Sequence, residues 1–163
     1  MNSHRKLDLD VEPGRVLRRF TEDETRKLVE QWIGTYAQNA QGANLRAYLW
    51  HTFSFGAYPS VCKHEAEILY KQQVATEVVV LSNDRLSALL TDTLPMKCNV
   101  MDYLVVPVNF AWSMAFSHED GWLGPYFAKH ENYDALVLQG LERARAQRQK
   151  AEEVARAKRA GWL

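Results

Sequence analysis

The chain has 163 residues, of which 47% are hydrophobic and 25% charged, a composition typical of one globular domain and not of a disordered chain. No apolar run approaches the roughly 20 residues that a membrane-spanning helix needs, and residues 1–19 lack the apolar segment of a secretion signal. We therefore expect a cytoplasmic protein that contacts no membrane, with Cys62 and Cys98 reduced.

The net charge of zero conceals a segregation of charge along the chain. Residues 1–20 carry five basic residues against three acidic ones, residues 21–140 carry eight against fourteen, and residues 141–163 carry seven against three. These segments are interpreted as a charged N-terminal extension, a single α+β domain and a basic C-terminal helical tail. The acidic domain disfavours nucleic acid as a partner and favours a basic protein. The alternative is that the charges serve solubility alone.

The first predicted element is a helix over about residues 22–37. Thr21 to Glu24 form a capping box, with acidic side chains in the first turn where the helix dipole favours them. Apolar residues then repeat at helical spacing: Leu28, Val29, Trp32, Ile33 and Tyr36. Residues 39–44, rich in Gly, Asn and Gln, are predicted to form a loop.

Two further segments follow before the centre of the chain. Residues 48–55 are aromatic and apolar, which predicts a strand or a buried segment. Gly56 and Pro59 interrupt this pattern, and Ser60 is positioned to cap a helix over about 61–73.

The central part of the chain predicts two strands and a short helix. Residues 77–81 are rich in β-branched side chains and predict a buried strand, and residues 103–108 predict another. Residues 82–84 offer a cap for a short helix over 85–90. Pro107 lacks a backbone N–H, which places it at a sheet edge or a bulge.

The segment 110–118 predicts a strand with two unlike faces, because side chains on a strand alternate. One face is large and ends in an imidazole, and its members are Phe110, Trp112, Met114, Phe116 and His118. The other face is small, as if a helix lies against it. With a long helix over about 132–160, the prediction is an α+β fold. Its three- to four-stranded, mostly antiparallel sheet has helices packed on it.

Histidines supply the only acid–base chemistry that the pattern suggests. His51 and His118, each on an aromatic segment, would form a general acid–base pair near neutral pH if the strands brought them together. The alternative is that each is structural, with a neighbour such as Asp102 or Tyr126 as its hydrogen-bond partner. Metal-ligand spacing and nucleotide-binding motifs are absent from the sequence, so neither a metal nor another cofactor is expected.

Residues 119–126 carry the features of a protein-binding surface. Trp122 lies in a Gly- and Pro-rich loop beside Glu119 and Asp120, and large aromatic side chains are typical of binding hot spots. We predict that Glu119, Asp120, Trp122 and Tyr126 contact a partner. The alternative is that Trp122 folds back as a lid over the sheet edge.

Three short motifs resemble a family of small bacterial proteins of unknown function. They are Trp112-Ser113, Ser117-His118-Glu119 and Gly124-Pro125-Tyr126-Phe127. Proteins of this size and type occur as immunity proteins in bacterial toxin systems. The resemblance therefore implies an immunity-type factor that covers the active site of a cognate toxin domain, as in contact-dependent inhibition, and the acidic body of the chain favours a basic toxin domain. The alternatives are a small hydrolase or nuclease that uses His51 and His118, and an adaptor domain without chemistry.

Overall fold

The computed structural model describes residues 8–39 and 45–163. In chain order, its elements are β1 (Val11–Glu12), β2 (Val16–Arg19), α1 (Glu22–Tyr36), α2 (His51–Ser54), β3 (Val61–Cys62), α3 (Lys63–Lys71), β4 (Val78–Ser82), β5 (Ala88–Thr91), β6 (Lys97–Cys98), β7 (Tyr103–Pro107), β8 (Trp112–Phe116), β9 (Tyr126–Lys129) and α4 (Tyr133–Arg159). Of the predicted loop at 39–44, only Asn39 belongs to the described residues.

A seven-stranded antiparallel sheet forms the centre of the described structure. Its strand order is β2-β5-β4-β7-β8-β9-β3, and a separate two-stranded sheet pairs β1 with β6. The α+β class and the antiparallel pairing are confirmed, but three to four strands was too few. The strands β2, β3 and β5 have only two to four residues each, too few for a clear alternating pattern.

Helices cover both faces of this sheet. On one face, α1 and the segment around α2 pack against the sheet side chains Val79, Leu81, Leu104, Val106 and Ala115. Along each strand these side chains alternate with those of the other face. On the other face, α3, residues from β1 and the start of α4 pack against Val78, Val80, Val105, Trp112 and Met114. The two apolar clusters thus sandwich the central strands β4, β7 and β8.

The capping box and the small face of β8 are both confirmed. Thr21 Oγ1 accepts from the backbone N–H of Glu24, and the Glu24 carboxylate accepts from the backbone N–H of Thr21. Within α1, the indole N–H of Trp32 donates to Ser113 Oγ at 2.8 Å, in the interior. A larger residue than Ser113 would hold the helix away from the strand, which explains why this face is small.

The predicted helix over 85–90 is wrong, because the chain forms a turn followed by β5. Asp84 Oδ1 accepts from the backbone N–H of Leu86, the backbone N–H of Ser82 donates to Ser87, and Arg85 adopts a φ of 67°. Ser and Asp side chains satisfy backbone N–H groups in tight turns as readily as at helix starts.

Two other predicted elements differ in type or bounds. Residues 48–55 form no strand; Leu49, Trp50, Thr52 and Phe53 are buried around α2, whereas Ser54 and Phe55 are exposed. The helix predicted from residue 61 begins at Lys63, because Val61 and Cys62 pair with β9. Pro107 is the last residue of β7 and lies beyond the part of β7 that pairs with β8. Its missing N–H therefore removes no hydrogen bond between these two strands.

The two ends of the described chain attach to the domain differently. Leu9 and Val11, within the predicted N-terminal extension, are buried in the cluster around α3. The helix predicted over 132–160 is confirmed as α4, and none of its residues, all of which are described, is fully buried. Among the described residues, every helix is too short or too polar to cross a bilayer.

Candidate functional site

Asp102 and His118 form the centre of the site, at the end of the sheet where β7 begins and β8 has ended. His118 Nδ1 lies 2.9 Å from Oδ1 and 3.1 Å from Oδ2 of Asp102, and the His118 backbone N–H also donates to Oδ1. The indole N–H of Trp50 donates to the same oxygen at 2.9 Å. Asp102 therefore fixes both the backbone and the ring of His118 and ties them to the α2 segment.

His118 lies on the α1 and α2 side of the sheet, not on the side of Trp112 and Met114. The ring of His118 lies 4.9 Å from that of Tyr48 and 5.9 Å from that of Trp50. The strand alternation that placed it with Trp112 is wrong here because β8 ends at Phe116 and the chain turns. The predicted contact with Asp102 is present, whereas His118 is not bonded to Tyr126 in the described structure.

His51 packs against the same two aromatic rings, those of Tyr48 and Trp50. Its ring lies 4.6 Å from that of Trp50 and 5.3 Å from that of Tyr48. On its other side it packs against the exposed ring of Phe55 at 5.2 Å. We call Tyr48, Trp50, His51, Asp102 and His118 together the His118 site.

Glu119 sits beside the outward nitrogen of His118. Its Oε1 lies 3.9 Å from His118 Nε2, on the side of the ring away from Asp102. The His118 side chain retains 35% of its accessible surface, so the imidazole as a whole is partly open to a ligand or a partner. The arrangement gives a held imidazole between two carboxylates at the protein surface.

The loop from Ser117 to Gly124, the 117–124 loop, is closed by its own hydrogen bonds. The Glu119 carbonyl accepts from the backbone N–H of Trp122, Leu123 and Gly124, and Asp120 Oδ1 accepts from both the backbone N–H and the hydroxyl of Ser117 at 3.0 Å. These bonds fix the conformation of a short loop that otherwise has no regular structure.

Asp120 turns one carboxylate oxygen inward although the residue as a whole is exposed. A Cβ added to Gly124 would lie 2.7 Å from that oxygen, so the loop backbone passes close over the carboxylate. This partial burial raises the pKa of the Asp120 carboxyl to about 6, with Asp102 and Glu67 adding to the rise and the Ser117 hydrogen bonds opposing it.

Trp122 is exposed at the tip of this loop. It keeps 70% of its surface accessible, so the alternative in which it folds back as a lid is wrong. Tyr126, predicted to contact a partner, is buried and stacks on Trp50 with ring centroids 5.9 Å apart. Tyr126 therefore supports the His118 site from beneath, while Glu119, Asp120 and Trp122 remain at the surface.

Sequence reasoning missed Tyr48 and Trp50 as functional residues and named Asp102 only as a possible neighbour. Tyr48 and Trp50 belong to an aromatic segment that reads as core, and only its break at Gly56 and Pro59 hinted at irregular structure. Across the described residues, no group of three or more His, Cys, Asp or Glu has the arrangement of a metal site.

Comparison with known proteins identifies a family but no characterised relative. No curated protein and no solved structure shows significant similarity to the chain. A family model described as Domain of unknown function (DUF4275) matches residues 14–127. This range contains the His118 site and the 117–124 loop and excludes α4. Because it covers more than half of the sequence, the chain belongs to this family.

Proposed function

We propose that the protein is an immunity-type factor that binds a cognate basic toxin domain and blocks it by covering its active site. The observation that carries the proposal is the exposed Trp122 on a loop closed by its own hydrogen bonds. The proposed contact surface consists of Trp122, Glu119 and Asp120 on the 117–124 loop, next to the His118 site.

The rigidity of the loop favours a binding role for Trp122. An indole that is exposed in the free protein loses its hydration on contact with a partner and supplies a large apolar area. Because hydrogen bonds to the Glu119 carbonyl and the Asp120 carboxylate already hold the loop, the loop loses little conformational entropy when a partner binds. Exposed apolar side chains without such support would bind at a higher entropic cost.

Charge favours a basic partner. Residues 21–140 carry six more acidic than basic residues, and Glu119 and Asp120 lie beside Trp122 at the surface. Acidic groups around an aromatic anchor would attract a basic nuclease-like domain and accelerate its association. Salt would weaken this steering, because exposed charges are screened beyond the Debye length of about 10 Å at 0.1 M ionic strength.

Affinity capture from the native bacterium, with matched bait proteins, tests the proposal. The natural chain should retain one stoichiometric basic protein and inhibit its toxic activity. The double variant Trp122→Ala, Glu119→Lys should do neither. The control is Trp162→Ala, Glu142→Lys, which removes a comparably exposed indole and reverses one charge near the C-terminus, outside the family match. If the double variant captures and inhibits normally, the proposed surface is wrong.

The geometry at His118 favours a second candidate, a small hydrolase or nuclease. The Asp102 carboxylate at Nδ1 would orient the imidazole and leave Nε2 to move a proton, which is how a carboxylate supports a histidine base. His51 lies against the same two rings, where it would serve as the second acid–base group.

His118→Ala separates the two candidates. In the binding role the variant should still capture and inhibit the partner, because His118 is not part of the proposed contact surface. In the catalytic role it should lose hydrolysis of RNA or of chromogenic esters, which the natural chain would show. Hydrolysis at the full rate by His118→Ala would exclude the catalytic role.

A further inference from the structure

A cavity of about 470 Å³ lies between α4 and the sheet, apart from the His118 site. It is lined by Trp112 at the start of β8, whereas His118 follows the opposite end of that strand, which spans roughly 13 Å. We propose that this cavity binds a small amphipathic anion, with an apolar body inside and a carboxylate or phosphate head at its mouth. The site is independent of the proposed partner surface.

The interior of the cavity is largely apolar. Ala111 and Trp112, which are buried in the core, lie on the sheet side, and Leu136 and Val137 lie on the first turns of α4. A volume of this size falls within the range of small-molecule sites, about 300–1,000 Å³. An apolar or aromatic body would therefore gain by leaving water for this space.

Two polar side chains in the cavity wall, Asn109 and Tyr133, are already engaged with the protein. The Asn109 side chain donates to the Leu136 carbonyl at 2.6 Å, and the Tyr133 hydroxyl donates to Gln73 at 3.1 Å. These bonds attach the start of α4 to the sheet and to the residues after α3. The cavity thus has fixed walls, and a ligand would have to be recognised by other groups.

Three exposed arginines of α4 in the cavity lining supply those groups. Arg143, Arg145 and Arg148 line the cavity together with a single acidic residue, Glu77. Within the described part of the chain, none of these arginines forms an ion pair. Guanidinium groups bind carboxylate and phosphate through paired, charge-assisted hydrogen bonds. An excess of positive charge at the opening of an apolar space selects an amphipathic anion.

Gly140 provides a direct way to fill the space. It lies on α4 in the cavity wall, and a Cβ added there would lie 3.7 Å from Asn109 Nδ2, an ordinary contact. Gly140→Ala should therefore leave the cavity open, whereas Gly140→Leu should occupy it. Both substitutions favour the helix, since glycine is the weakest helix former after proline, so lost binding would not reflect lost folding.

Isothermal titration calorimetry of the full chain with octanoate, octyl phosphate and neutral octanol tests the proposal. One of the anions should bind at one site per chain, roughly tenfold or more tighter than octanol. The tighter of the two anions identifies the head group. Gly140→Ala should retain binding and Gly140→Leu should lose it, with thermal unfolding of each variant confirming the fold. Arg143→Gln together with Arg148→Gln should reduce anion binding to the level of octanol.

Three results would overturn the proposal. They are the absence of saturable binding of either anion, equal binding of octanol, and unchanged binding by a folded Gly140→Leu variant. The last result would place any anion binding elsewhere on the basic surface of α4.

Discussion

Asp102 and His118 face each other across the end of the β7–β8 hairpin, with Nδ1 within 2.9 and 3.1 Å of the two carboxylate oxygens. The same carboxylate also accepts from the indole of Trp50. One side chain thus joins the sheet, the α2 segment and the surface imidazole. We therefore expect a substitution at Asp102 to disturb the end of the sheet, the α2 segment and the His118 ring together.

Asp102→Ala should destabilise the fold by about 2–3 kcal/mol, because it removes the acceptor of three hydrogen bonds and leaves the indole N–H of the buried Trp50 without its partner. Urea unfolding measures the loss. The control Asp23→Ala removes a carboxylate from an exposed ion pair with Arg26 and should cost less than about 1 kcal/mol. Equal losses in the two variants would show that Asp102 does not organise the site.

Trp122→Ala should change the free energy of unfolding by no more than about 0.5 kcal/mol, because the side chain is exposed. Trp32→Ala should cost about 3–5 kcal/mol, since that indole is buried and donates to Ser113. Chemical denaturation of both variants makes the comparison. A large loss for Trp122→Ala would assign the residue to the core and weaken its proposed binding role.

Asp120 should make stability fall as the pH rises from about 4 to 6. Its pKa is about 6 in the folded protein against 3.8 for an unperturbed carboxyl. The native state therefore holds more protons than the unfolded state in this window. The contribution is complete below pH 4 and is lost as the pH passes through 6.

Asp120→Asn provides the comparison, because the amide oxygen still accepts from Ser117 but does not titrate. Thermal unfolding at pH 4 and pH 7 should show the natural chain losing stability relative to Asp120→Asn as the pH rises. The opposite trend would mean that the Ser117 hydrogen bonds outweigh burial and lower the pKa of this carboxyl.

Thr25→Val should stabilise the fold by about 1 kcal/mol, because the Thr25 hydroxyl is buried and forms no hydrogen bond with a described residue. Valine keeps the shape and removes the unsatisfied group. Thr25→Ser, which keeps the hydroxyl and removes a methyl, should cost about 1 kcal/mol. Unfolding in urea separates the two, and a loss of stability in Thr25→Val would reveal a partner for the hydroxyl.

The sequence by itself determined the elements whose signals are local. The capping box at Thr21 to Glu24, the strands around β4 and β7, and α4 follow from side chains a few residues apart. The small face of β8 also indicated a helix packed against it, because small side chains on a strand allow a helix to approach it closely. Family membership follows as well, from motifs within residues 112–127.

Only the tertiary structure decided the composition of the site. The contact of Asp102 with His118 joins residues sixteen apart, and that of Asp102 with Trp50 joins residues 52 apart. No periodicity encodes such pairs. The exposure of Trp122 and the burial of Tyr126 likewise depend on where the chain turns after Phe116. That turn is held by backbone and side-chain hydrogen bonds within the loop, and the alternating pattern of the strand gives no sign of where it ends.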